Sequence, residues 1–226
     1  AALLHPDSGA MTLGESTWAT NPSFLVTGPE QGVLWAITEP EFGGEVLAFS
    51  ANGGGTLTLL GSAASGTDAP CHLTVDLEHH AAYVSHYHGR SVAVVGLDDS
   101  GLPLASRELV TPPAVVGADD RTRFQPRPHS TARIGADELL VADCGRDLVV
   151  LYRISATGLE LVDTLALPTG TGPRHIAWDA SRSTAYVSNQ NVGSISVIAR
   201  HDTDDGVQLK LISMAESPGL GRNRSI

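Results

Sequence analysis

The chain has 226 residues, 42% of them hydrophobic and 17% charged, with 25 acidic against 14 basic side chains and a net charge of −11. That length suffices for one domain with a substantial core, and the acidic balance excludes the basic face on which nucleic-acid affinity rests. No apolar run approaches the ~20 residues of a membrane-spanning helix, and no tract is polar enough to read as disorder.

From the amino terminus, Ala1–Ala10 shows neither the basic nor the apolar segment of a signal peptide. His5–Gly9 reads as a turn, and Met11–Glu15 as the fourth strand of a unit whose first three strands are missing. Pro22 then opens a full unit, with strands predicted at Phe24–Val26, Leu34–Ile37 and Val46–Phe49, and a turn at Ala51–Gly55 leading to a fourth at Leu57–Leu60. Pro70 opens a second, with strands at Leu73–Val75, Ala82–Ser85 and Val92–Val95 and with His79 and His80 in a turn. Pro128 opens a third: Thr131–Arg133, Leu139–Ala142, Leu148–Tyr152, a turn at Ser155–Gly158 and a strand at Leu159–Asp163. Pro173 opens a fourth, with strands at Ile176–Trp178, Ala185–Ser188 and Ile195–Ile198, and Asp202–Gly206 reads as a hairpin turn. The tail from Ser217 enters a loop.

The four prolines recur at intervals of 48, 58 and 45 residues, and each opens the same pattern, as in APCHLTVD…AYVSHY and GPRHIAWD…AYVSNQ. Helical repeats of this size would need a 3.6-residue period, which is absent. The expected fold is therefore all-β: a β-propeller of four-stranded antiparallel blades, a single domain over residues 1–226. Blades begin near residues 22, 70, 128 and 173, and residues 1–21 are the remnant of a preceding one. A multi-sheet sandwich is the alternative. Since blades cannot bury their faces alone, either the four close as a small ring or further blades lie outside this sequence; the latter is the expectation.

Aligning the units gives one column of Phe24, His72, His129 and His175, and a second, fourteen residues on, of Thr38, His86, Asp143 and Asn189. First strands are innermost in a propeller, so the first column is expected at the mouth of a central channel, with Ser23, Cys71, Pro128 and Arg174 just before it. A guanidinium among imidazoles suits an anionic substrate, with Arg as a two-pronged anchor and His as a proton acceptor near neutral pH. The bland alternative is that these histidines tie strand to strand, with Asp143 or Glu39 as the partner of Arg174. His86 and His88 flank Tyr87 at a strand end and fit either the channel or an exposed loop.

Cys71 and Cys144 sit in neither a CxxC nor a zinc-like spacing, so no disulfide framework, metal or cofactor is expected, and a reducing cytoplasm is the simplest compartment. No GxSxG, HExxH or phosphate-binding loop is present.

At PCHLTVD with AYVSHYHGRSVAVV, QPRPHS with LLVADCGRDLVVLYRI, and GPRHIAW with AYVSNQNVGSISVI, the sequence resembles the propeller lactonase family, which includes 6-phosphogluconolactonases and carboxymuconate-cyclising enzymes. The resemblance implies seven blades, an active site at the channel mouth, and catalysis by His129 and Arg174, with His72, His175, Gln190 and Arg127 binding substrate. It also marks departures. Gln190 stands where the family carries Glu, Arg127 replaces a His, and a later Arg has no counterpart. Gln forms hydrogen bonds but is no base at pH 7. The expected function is hydrolysis of a small anionic sugar-acid lactone such as 6-phosphogluconolactone, with no nucleic-acid or membrane partner. Alternatives are a non-catalytic binding propeller, a muconate-type cyclising enzyme, and a metal-dependent lactonase, for which Asp143 and Asn189 supply only two ligands.

Overall fold

A computed structural model describes residues 2–28, 32–51, 56–113, 124–204 and 206–216. The described residues contain eighteen strands and no helix. β1 (Ala2–Leu4) and β2 (Met11–Leu13) form a two-stranded antiparallel sheet. Four four-stranded antiparallel sheets follow, each in sequence order. The first holds β3 (Pro22–Gly28), β4 (Val33–Thr38), β5 (Glu45–Ala51) and β6 (Leu57–Ala64). The second holds β7 (Pro70–Asp76), β8 (Ala81–His86), β9 (Ser91–Leu97) and β10 (Pro103–Val110). The third holds β11 (Pro128–Arg133), β12 (Glu138–Asp143), β13 (Leu148–Ser155) and β14 (Gly158–Ala166). The fourth holds β15 (Pro173–Asp179), β16 (Thr184–Asn189), β17 (Ser194–Thr203) and β18 (Gly206–Glu216).

Each of the four prolines is the first residue of an innermost strand, and β3, β7, β11 and β15 adjoin in that order. Middle strands of the second sheet lie between neighbouring sheets and are covered on both faces, so β8 (AAYVSH) and β9 (SVAVVGL) are buried throughout, whereas β16 and β17 of the fourth sheet alternate. Fourth strands sit at the rim and do alternate, as in β10. Three apolar layers join the sheets. Trp35, Ile37, Leu73, Val84 and Val95 fill the first junction; Tyr83, Val94, Leu139, Val141 and Val150 fill the second. Leu140, Val149, Leu151, Val187 and Ile198 fill the third. Each large aliphatic side chain so covered contributes about 1.5–3 kcal/mol. A polar latch crosses the first junction, where the buried indole N–H of Trp35 donates to the Gly101 carbonyl at 2.7 Å. At the innermost strands, the rings of Phe24 of β3 and His175 of β15 stand 6.5 Å apart. Leu25 of β3, and Ile195 and Ile212 of β17 and β18, remain exposed.

The amino-terminal reading needs correction. The strand stops at Leu13 rather than Glu15, and its partner is present, since Leu4 pairs with Met11 and Ala2 with Leu13. The His5–Gly9 turn closes this hairpin, with the His5 N–H on the Ala10 carbonyl at 2.8 Å. Ala2–Leu4 is too short to show alternation, which hid it. Fourth strands also run longer than predicted, because each pairs with the full length of its third strand. The hairpin at Asp202–Gly206 is observed as Thr203 paired with Gly206. The predicted turn at 52–55 and the tail from 217 lie outside the described residues.

Candidate functional site at the channel mouth

Every innermost strand starts with the same irregularity. Pro70 pairs with His86 and His72 with Ser85, which leaves Cys71 as an extra residue. Pro22 with Thr38 and Phe24 with Ile37 leave Ser23, and Pro128 with Asp143 and Ser130 with Ala142 leave His129. In β15 Pro173 pairs with Asn189 and Ile176 with Val187, while the His175 N–H meets Ser188 Oγ at 3.1 Å, so the extra residue is Arg174. A β-bulge thus lifts one side chain per blade out of the in–out alternation at the mouth.

This register corrects the sequence alignment. His129 does not share a column with His72 and His175; Ser130 does, and His129 occupies the bulge position of Ser23, Cys71 and Arg174. The β11–β12 turn is the cause. It closes with the Ile134 N–H on the Glu138 carbonyl, around residues 135–137, whereas the turns after Asp76 and Asp179 hold four residues. The fixed offset of fourteen therefore lands one residue early in the third unit.

The imidazoles nevertheless converge. Ring centroids of His129 and His175 are 5.2 Å apart and those of His72 and His175 5.9 Å apart, with Phe24 4.2 Å from His72. Arg174 Nε donates to His129 Nε2 at 2.9 Å. Neither Asp143 nor Glu39 is its hydrogen-bond partner, contrary to the sequence reading. Asp143 is instead turned to the backbone, where Oδ1 accepts from the N–H groups of Arg127, Gly145 and Arg146.

This environment keeps the site neutral. Burial, then the Arg174 charge, then His175 lower the His129 pKa to about 4. Burial followed by the two neighbouring imidazoles lowers His72 to about 3, and burial and Arg174 lower His175. His72 Nδ1 accepts from the Thr131 N–H at 3.3 Å, which leaves its proton on Nε2. His129 Nε2 accepts from a guanidinium, so its proton sits on Nδ1, which is buried without a partner.

Two predicted binding residues lie alongside. Gln190 Nε2 donates to Cys144 Sγ at 3.0 Å, and the thiol, raised to about 11 mainly by burial, remains protonated and feels the charges of Arg127 and Arg174. Arg127 Nη1 donates to the Tyr87 hydroxyl at 2.9 Å, and its guanidinium carbon lies 4.9 Å from that ring's centre. Tyr87 in turn sets its edge to His129, with centroids 5.8 Å apart at 74°. Sequence reasoning passed over Tyr87 and Cys144. The usable signal was position, since both immediately follow the second column. His86 does not reach the channel; it is buried, with Nε2 3.0 Å from Ser65 Oγ. Among the described residues no group of three or more His, Cys, Asp or Glu is arranged to hold a metal ion.

Residues 2–220 match the family described as Lactonase, 7-bladed beta-propeller. The 6-phosphogluconolactonase of Bacillus subtilis is 26% identical over 174 residues, covering 75% of this chain and 49% of the relative. That of Yersinia enterocolitica is 25% identical over 197 residues, covering 85% and 54%. The chain thus spans about half the length of these relatives. Among solved structures, the periplasmic gluconolactonase of Pseudomonas aeruginosa superposes with a TM-score of 0.82 at 20% identity, over 97% of this chain and 64% of that one. A Lactobacillus plantarum protein gives 0.81 at 21% identity, over 97% and 63%.

Proposed function

This chain belongs to the seven-bladed β-propeller lactonase family, and from that premise we propose that it hydrolyses a sugar-acid lactone at the channel mouth. The observation that carries the reading is the contact of a neutral His129 with Arg174, a base and an anion anchor 2.9 Å apart. In the resting site the guanidinium occupies the lone pair that a base needs. A lactone carbonyl is the better acceptor as negative charge grows on it, so Arg174 turns to that oxygen and frees His129 Nε2. His129 then takes a proton from the attacking water while Arg174 stabilises the oxyanion. Collapse of the adduct breaks the bond to the ring oxygen, and the imidazolium returns the proton to it.

His175 packs edge-on against His129 and His72 packs against His175, so the two neutral rings fix the position of His129 by contact. Gln190 contributes a hydrogen bond from the amide. Names of relatives support a gluconolactone skeleton, and two free cysteines support a reducing compartment.

The test is acid release, followed in weak buffer, from δ-gluconolactone with and without a 6-phosphate. Turnover above the spontaneous rate, lost in His129→Gln, is the expected result. Binding of the hydroxy acid without turnover would favour a non-catalytic propeller, the reading that Gln190 in place of a carboxylate supports.

A further inference from the structure

Arginine partners divide by location. Away from the mouth, Arg133, Arg182 and Arg200 each pair with a carboxylate. At the mouth end, the hydrogen-bond partners of Arg90, Arg127, Arg146 and Arg174 among the described residues are Gln125, Tyr87, two backbone carbonyls and His129. The buried Asp143 carboxylate lies beneath this group on the backbone N–H groups of Arg127 and Arg146, and the guanidinium ends of the four side chains keep the neutral partners named.

Arg127 is the best held of them beside Arg174. Its N–H is fixed by Asp143 Oδ1 at 2.7 Å and its carbonyl by the Cys144 N–H at 3.0 Å. Gly145 lets this segment approach, since a Cβ there would lie 2.1 Å from the Gln125 carbonyl oxygen and 2.9 Å from Arg127 Cγ. Asn21, Ala69 and Gly172, which precede the other three prolines, have positive φ, and Arg127 does not. The third blade therefore enters the mouth differently from its neighbours. With Nη1 on the Tyr87 hydroxyl, the other guanidinium donors have no hydrogen-bond partner among the described residues. Because the Tyr87 oxygen accepts from Arg127, its own O–H is free to donate.

We infer that Tyr87 and Arg127, from adjacent blades, are specificity-determining residues that bind a second oxyanion group of the ligand, phosphoryl or carboxylate, remote from the group held by Arg174. Tyr87 and His129 stand side by side between the two guanidiniums, so a ligand with an oxyanion at each end lies along them. Arg and Tyr together present fixed donors to such a group, and the cation over the ring is held without a carboxylate competing for it. As a statement about lactone specificity this rests on the hydrolase reading; as a binding site it stands alone.

Calorimetric titration of the full chain with 6-phosphogluconate, glucarate, gluconate and inorganic phosphate tests it. The wild type should bind 6-phosphogluconate or glucarate at least about tenfold tighter than gluconate. If both doubly anionic ligands gain, any oxyanion serves; if 6-phosphogluconate alone gains, the group is phosphoryl. Arg127→Met should abolish the gain, with the loss falling on the doubly anionic ligands far more than on gluconate. Tyr87→Phe, which keeps the ring, should reduce the gain several-fold. Arg174→Met should weaken all three acids together. Equal affinity of the wild type for the three acids, or an equal loss for all of them in Arg127→Met, would overturn the inference. Retention of the Arg127-dependent preference by a protein that hydrolyses no lactone would support the site and remove only the hydrolase reading.

Discussion

Arg174 reaches from β15 to β11 and places its Nε–H on the one nitrogen of His129 that could accept a proton from water. That contact and burial together keep the imidazole neutral far below its ordinary range, so acid should silence the proposed hydrolysis late. The acid limb of kcat/KM should fall near pH 4, where His129 gains its proton, rather than near 6.5. In Arg174→Ala one of the two leading causes is gone, and residual activity should show a limb moved up toward 6.5. A limb that stays put in this variant would assign the ionisation to another group.

The two residues should separate kinetically. His129→Gln should lower kcat by about 10²–10⁴ while product affinity changes little, because the amide keeps a hydrogen bond and loses the base. Arg174→Ala should lower kcat by about 10²–10³ and also weaken product binding. Equal loss of thermal stability in both, with activity per folded molecule intact, would mark the pair as structural.

Gln190→Glu should raise turnover by about tenfold, less than the roughly 10²–10⁴ of a positioned acid or base, because His129 already supplies the base. The exchange is nearly isosteric, and the bond to Cys144 survives by reversal, since the protonated thiol can donate to the new carboxylate. Rates measured from pH 6 to 8 check it. No gain would mean that the third catalytic position in this chain lies elsewhere.

Folding stability should fall as pH drops from 6.5 toward 3. Native His72, His86 and His129 are held neutral to about 3, 4 and 4, so between those values and 6.5 the unfolded chain binds more protons. Asp143 works the other way: its native pKa, raised to about 6 by burial, makes its contribution full below 3.8 and lost above 6, which offsets part of the slope. His72→Phe should flatten the dependence of Tm on pH, and Phe24 on the adjoining inner strand shows that a phenyl ring suits this position.

The junction of the first two blades offers a test remote from chemistry. Trp35→Phe leaves the Gly101 carbonyl without its buried donor and should cost about 1–3 kcal/mol in chemical denaturation. Gly101→Ala should be at least as damaging, because φ is +79° there and a Cβ would lie 2.8 Å from the Trp35 ring.

Blade starts were legible in the sequence because each carries a proline just ahead of an apolar strand, and buried second and third strands such as Ala82–Ser85 read as short apolar runs. The gathering of His72, His129, Arg174 and His175 followed from repetition, since the equivalent and adjacent positions of consecutive blades meet about one axis. What the repeat could not carry were one-residue events. The turn at Gly135–Asp137, one residue short, breaks the offset of fourteen that aligned His129 with His72, although His129 follows its proline directly as Cys71 and Arg174 do; and Ala2–Leu4 held too few residues for a period. Contacts between loops of different blades were also invisible. Tyr87 meets Arg127 across 40 positions, and Gln190 meets Cys144 across 46, with nothing periodic to connect them.

The bulge at the head of each innermost strand has a meaning for how such a molecule can change. Its residue lies outside the ladder's alternation, and this chain fills the four sites with Ser23, Cys71, His129 and Arg174, a hydroxyl, a thiol, an imidazole and a guanidinium. The proline-led bulge that carries them recurs in every case. A series of repeats built this way separates inheritance of shape from inheritance of chemistry: each blade offers one independently rewritable letter at the head of its innermost strand, and a new reaction can be spelled there without respelling the walls.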